Sequence, residues 1–258
     1  MKHEHAKAQR HKDVVFRYNG LFGKSLGKVD PMSTVIANTQ LMRVARFYES
    51  TIGKKAIMAV TGLILFGFLV AHMLGNLQIF LGSEVMNHYA ETLHGNPALL
   101  WTVRIVLFVS VILHIWASIS LAVLKKEARP VAYVKRTPVK SSWASRSMML
   151  SGPIVAAFVV VHLLHLTTGT IHPDFVPLHA YENLVNGFMV VPMALIYIAV
   201  MIMIGFHLSH GIWSMFQSVG FSHPRYTPAI KKFAAIFSWI LIAGFISVPV
   251  AVLTGLVR

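Results

Sequence analysis

Apolar residues fall along this chain in five long runs, at residues 56–81, 99–124, 148–168, 190–216 and 233–257, with polar stretches between them. A run of about 20 such residues coiled as a helix matches the hydrocarbon thickness of a bilayer, and over that length a helix satisfies its own backbone polar groups. The pattern therefore predicts an all-α, integral membrane protein with a five-helix transmembrane bundle. Helix breakers punctuate it: Gly82 and Asn96-Pro97 follow the first run, Pro130 and Pro138 the second, Pro173 and Pro177 the third, and Pro224 and Pro228 the fourth.

Charge sets the expected orientation, because lysine and arginine collect on the cytoplasmic side. Residues 1–55 hold eleven of them, 125–147 seven and 217–232 three, whereas 82–98 and 169–189 hold none. The remaining two are Arg104, just inside the second run, and Arg258. The N-terminus is thus expected inside and the C-terminus outside. A formal charge of +14 segregated in this way reflects topology, so nucleic acid is not an expected partner. Residues 1–39 read as a disordered basic arm without the apolar run of a secretory signal. The membrane domain is taken as 40–258. Its first stretch, 40–55, reads as an interfacial helix, with Leu41, Val44, Ala45 and Tyr48 on one face and Arg43, Arg46 and Lys54 directed to lipid head groups.

Composition narrows the chemistry. Hydrophobic residues make up 55% and charged residues 12% of the chain, mean hydropathy is +0.64, and cysteine is absent. Iron–sulfur ligation, zinc thiolates and disulfides are excluded within the chain, which leaves histidine to carry any cofactor. Six histidines fall inside the runs: His72, His114, His162, His165, His207 and His210. Polar residues at such depth usually serve function.

At a rise of about 1.5 Å per residue, His72 and His162 lie roughly 5 to 6 Å above the bilayer centre, and His114 and His207 roughly 4 to 6 Å below it. Two pairs stacked across the membrane result. A haem with two axial imidazoles needs such ligands on facing helices at matched depth. Gly62, Gly67, Gly75, Gly152, Gly205 and Gly211 offer room nearby, or simply permit close helix packing. A zinc or di-iron centre would want three or more ligands at one depth, usually with carboxylates, and no acidic residue lies within a run. His165 and His210 follow His162 and His207 by three residues on the same helices and could replace them as ligands. His88, His94, His172 and His179 are expected to face solvent.

The stretch Ala71-His72-Met73-Leu74-Gly75-Asn76-Leu77-Gln78-Ile79-Phe80, followed by Asn87-His88-Tyr89-Ala90-Glu91 and Leu93-His94, resembles the one-chain, five-helix cytochrome b membrane anchor of succinate dehydrogenase and fumarate reductase. Leu113-His114-Ile115-Trp116-Ala117, Gly152 with His162, and Phe206-His207-Leu208-Ser209-His210-Gly211-Ile212-Trp213-Ser214 extend the resemblance to the second, third and fourth helices. The resemblance selects the earlier histidine of each helix. It implies two haem b groups, an outer one on His72 and His162 and an inner one on His114 and His207, the four histidines ligating the haem iron.

It further implies a multi-pass protein of the bacterial cytoplasmic membrane, with a flavoprotein subunit, an iron–sulfur subunit, membrane quinone and the lipid bilayer as partners. Succinate chemistry would lie on those partners and this chain would transfer electrons, with no catalytic residue of its own. The quinone candidates are Arg104, Glu91, His88, His94, Asn76 and Gln78, by analogy with a site near the outer haem. Where the quinol-oxidising branch can carry an acid two positions before the fourth ligand, this chain has Gly205, which favours succinate oxidation with quinone reduction. The 125–147 loop, with Tyr133 and Trp143, is the expected contact for the iron–sulfur subunit.

Other readings pair histidines across helices too. A cytochrome b anchor of a formate dehydrogenase or hydrogenase is the closest in kind. A histidine-using transporter would call for inverted repeats, which the sequence lacks. A membrane desaturase or hydroxylase would cluster its histidines at one face, whereas these alternate in depth.

Overall fold

The computed structural model describes residues 47–128 and 143–258. The chain divides into two units, 1–49 and 50–258. Of the first, only 47–49 are described, and they are helical. The expected basic arm at 1–39 lies outside the described residues, as do Tyr133 and residues 40–46 of the expected interfacial helix.

The second unit is built from helices, with no strand among the described residues: α1 (Thr51–Asn76), a 3-10 turn (Leu77–Leu81), α2 (Ser83–His94), α3 (Pro97–Glu127), α4 (Trp143–Leu166), α5 (Ala180–Met189), α6 (Val191–Ser218) and α7 (Thr227–Leu253). Five elements are long and apolar enough to cross a membrane: α1 with its 3-10 extension, α3, α4, α6 and α7. This is a multi-pass membrane protein. Four of the helix starts have a local cause. Ser50 caps α1 by accepting from the Gly53 amide at 2.9 Å, and Asn96 caps α3 through the Leu99 amide at 3.1 Å. Proline stands in the first turn of α3, α6 and α7, where its missing N–H would have had no partner in any case. Pro153 and Pro249 lie within α4 and α7, tolerable where neighbouring helices re-satisfy the freed backbone.

The buried core lies along α5, α6 and α7, with Phe66, Leu69, Val70 and Met73 of α1 packed against it. Helix α3 is more peripheral: it packs along α1 and touches α2, but its contact with α4 and α6 is slight at most. Its outward side, including Ile105, Phe108 and Ile112, is bare. So large an apolar surface is suited to lipid rather than water.

Two elements escaped the sequence reading. The stretches between the apolar runs contain α2 and α5, which are amphipathic and too short to span a bilayer. They pack together as a cap over one end of the bundle. Asn87 joins them, its Nδ2 donating to Glu182 Oε2 at 2.8 Å and its Oδ1 accepting from the Tyr181 amide at 3.0 Å. The opposite end carries Lys54, Lys55, Lys125, Lys126, Arg225, Lys231 and Lys232, and there the Lys231 ammonium sits 4.6 Å from the Trp213 ring centroid.

Candidate functional site

Four helices bring histidines together in two pairs. His72 of α1 faces His162 of α4 with ring centroids 5.7 Å apart. His114 of α3 faces His207 of α6 at 6.4 Å. The first pair is nearer the cap and the second nearer the basic end.

The separation of these levels can be measured along three helices independently. His114 Nδ1 meets Thr61 Oγ1 of α1 at 3.2 Å, and Thr61 is eleven residues before His72. His207 Nδ1 meets Ser151 Oγ of α4 at 3.2 Å, and Ser151 is eleven residues before His162. On α6, the Tyr197 hydroxyl meets His162 Nδ1 at 3.4 Å, ten residues before His207. All three spacings put the levels roughly 15 to 17 Å apart at 1.5 Å per residue.

These hydroxyls also select a tautomer. Thr61 already donates to the Ile57 carbonyl at 2.7 Å, so toward His114 it accepts, and Nδ1 carries the proton. Ser151 donates to the Met148 carbonyl at 3.4 Å and accepts from His207 in the same manner. Both rings are thereby left with an Nε2 lone pair available to a metal. His72 has a different setting, stacked on Phe68 at 5.3 Å and tilted against Phe245 at 5.8 Å. The hydroxyl partners were missed in the sequence. The signal was present: eleven residues are about three turns, so Thr61 and Ser151 share a helix face with the histidine that follows.

His165 sits elsewhere. His165 is 1% exposed, bonded through Nδ1 to the Tyr197 hydroxyl at 3.0 Å and stacked on His172 at 5.0 Å. His172 is buried as well, which corrects the expectation that it faces solvent. Its Nε2 donates to the Asn183 carbonyl at 2.9 Å and its Nδ1 accepts from the Asp174 amide at 3.1 Å, because the 169–179 segment folds back under α5. His88, His94 and His179 are exposed.

Among the quinone candidates, His88 and Glu91 approach to 4.0 Å on an exposed face of α2, and His94 Nδ1 donates to the Ala90 carbonyl at 2.8 Å. Asn76 and Gln78 are half-buried at the end of α1 and in the 3-10 turn. Arg104, also half-buried, stacks its guanidinium 5.3 Å from the Trp101 ring centroid and makes no ion pair with Glu91. Lying ten residues before His114, it stands near the level of the His72 and His162 pair.

The glycines divide into two sets. A Cβ at Gly75 would press on Tyr89, and one at Gly205 on Trp239, so these serve helix packing; Gly62 lies against the His114 ring. At Gly67, Gly152 and Gly211 a Cβ would meet nothing within 4 Å. Of these, Gly211 is one turn beyond His207 on the same face, so open space adjoins that histidine's side of α6.

A multi-pass helical membrane protein with two facing histidine pairs, stacked at two levels, is the class these features define. The family model described as the succinate dehydrogenase/fumarate reductase transmembrane subunit matches residues 125–247. Over that stretch the chain is similar to this family of membrane subunits of an oxidoreductase complex. The matched stretch contains His162 and His207, one member of each pair. No curated protein and no solved structure matches the chain.

Proposed function

We propose that this chain is the di-haem cytochrome b anchor of its complex, passing electrons between an iron–sulfur subunit and membrane quinone. The observation that carries this reading is the two histidine pairs themselves. Two imidazole nitrogens bound to one metal at about 2.0 Å each would hold their ring centroids roughly 6 Å apart, and the pairs stand at 5.7 and 6.4 Å. The donor set fits as well: neutral nitrogen, two per level, without the third ligand or carboxylate that zinc or di-iron sites use. Among the described residues no cluster of three or more metal-ligating side chains occurs.

In this reading His72 and His162 would hold an outer haem, and His114 and His207 an inner one. Each haem supplies the capacity to take up and release one electron. The protein's residues do the rest. Thr61 and Ser151 hold the inner pair in the ligating tautomer, and Phe68 and Phe245 pack against His72 of the outer pair. The basic end would face the cytoplasm and the cap the outside. Arg104, near the level of the outer pair, is the leading candidate to meet a haem propionate or quinone, with Glu91, His88, His94, Asn76 and Gln78 at the same end. Gly205 in place of an acid favours the direction from succinate to quinone.

A dithionite-reduced spectrum with haem quantitation on the purified complex tests the proposal. Two b haems per chain are expected, and none would reject it. Docking gives a second test. Trp143, at the start of α4, is 78% exposed with the Arg146 guanidinium 4.8 Å from its ring centroid, an aromatic anchor of the kind interface cores use. Trp143→Ala is expected to release succinate dehydrogenase activity from membranes on a salt wash, with both haem spectra unchanged. Undiminished retention would argue against this contact.

A further inference from the structure

We propose that Tyr197 is a positioning residue for the outer haem, its hydroxyl fixing His162 as the Nδ1–H tautomer while His165 fixes the hydroxyl. The proposal rests on the haem reading above and extends it to residues that touch no iron.

Tyr197 Oη stands between two ring nitrogens, 3.4 Å from His162 Nδ1 and 3.0 Å from His165 Nδ1. One hydroxyl hydrogen can be donated to only one of them. If it goes to His165, the phenolic oxygen accepts from His162 Nδ1–H, and His162 Nε2 keeps its lone pair. The reverse arrangement would protonate His162 at Nε2 and block ligation. His165 thus serves by accepting, which gives it a role other than that of ligand. It is held in place by its stacking on His172, whose two nitrogens are tied to Asn183 and Asp174. Gly187 makes this possible, since a Cβ there would come within 2.8 Å of the His165 ring and 3.0 Å of His172 Nε2. The Tyr197 ring is gripped edge-on by Phe158 at 4.8 Å and Phe188 at 5.0 Å, so the hydroxyl has little freedom to point elsewhere. Tyr197 therefore does for His162 what Ser151 does for His207 and Thr61 for His114.

The two levels allow a crossed experiment on the intact complex. Tyr197→Phe keeps the ring and removes only the hydroxyl. Loss of the acceptor on Nδ1–H makes the imidazole a weaker donor to iron, so the outer haem's midpoint potential should rise and its low-temperature EPR signal move, with both haems retained and the inner one unchanged. Ser151→Ala should shift the inner haem alone. His165→Phe, which preserves the stack but removes the acceptor, should shift the same haem as Tyr197→Phe, and reports on the proposal should the tyrosine variant fail to assemble. Two haems in the wild-type complex with neither outer-haem signal altered by Tyr197→Phe or His165→Phe would overturn this proposal alone, as would equal shifts in both haems. A wild-type complex without haem would overturn the parent reading and this one with it.

Discussion

Replacing His114 or His207 by alanine is expected to halve the haem content of the complex by emptying the inner site, and His72→Ala or His162→Ala to halve it by emptying the outer one. On the proposed reading each variant removes one of two axial nitrogens, and the incomplete ligand set no longer holds that haem. The effect is large at the outer site because His165 is not placed to take over. His165 stacks side by side with His172, and parallel stacking leaves no place for an iron between ring nitrogens. Haem quantitation with a redox titration distinguishes the sites, since one component should vanish and the other persist. Retention of both haems in any of the four variants would remove that residue from the ligand set.

Gly205→Glu should nearly abolish assembly. In this chain the place is taken. A Cβ on Gly205 would stand 2.9 Å from the Trp239 ring and 3.3 Å from Ile242, and overpacking of this kind costs about 1–3 kcal/mol. A carboxylate at such depth adds about 2.5–3.5 kcal/mol when no partner waits for it. Either term reaches the ~1.4 kcal/mol that moves an equilibrium tenfold. The measurement is the amount of intact complex in solubilised membranes, compared with Gly205→Ala and with Gly205→Glu joined to Trp239→Ala. The double variant should recover part of the loss because it restores room without supplying a charge partner. Wild-type assembly of Gly205→Glu would mean that α6 and α7 separate more readily at this point than their packing indicates.

Much of the arrangement could be read from residue order because two regularities suffice for it. Apolar length locates the helices, and the fixed rise along each helix gives depth, so His72 is matched with His162 and His114 with His207 before any contact is known. What remained hidden depends on direction rather than distance. Which nitrogen of His114 or His207 is free depends on where Thr61 and Ser151 send their own protons, and a count of residues carries no such information. His172 looked like a loop histidine because its burial arises from a fold-back of 169–179 beneath α5, a tertiary event. Likewise Arg104 found an aromatic face in Trp101, three residues earlier on its own helix, a pairing set by side-chain direction. The helices α2 and α5 were obscured by their shortness, since the search for spans passes over amphipathic segments of ten or twelve residues.

The spacing of hydroxyl and histidine along the helices has a consequence for how the protein matures. Helix α1 offers His72 to one level and Thr61 to the other; α4 does so with His162 and Ser151, and α6 with His207 and Tyr197. A rotation of any of these helices about its axis misaligns both levels together. On the di-haem reading, filling one site would remove rotational freedom that the other must otherwise suppress, and the second haem would enter a frame already set. Haem insertion into this bundle should be a cooperative event, with singly loaded chains scarce when haem is limiting.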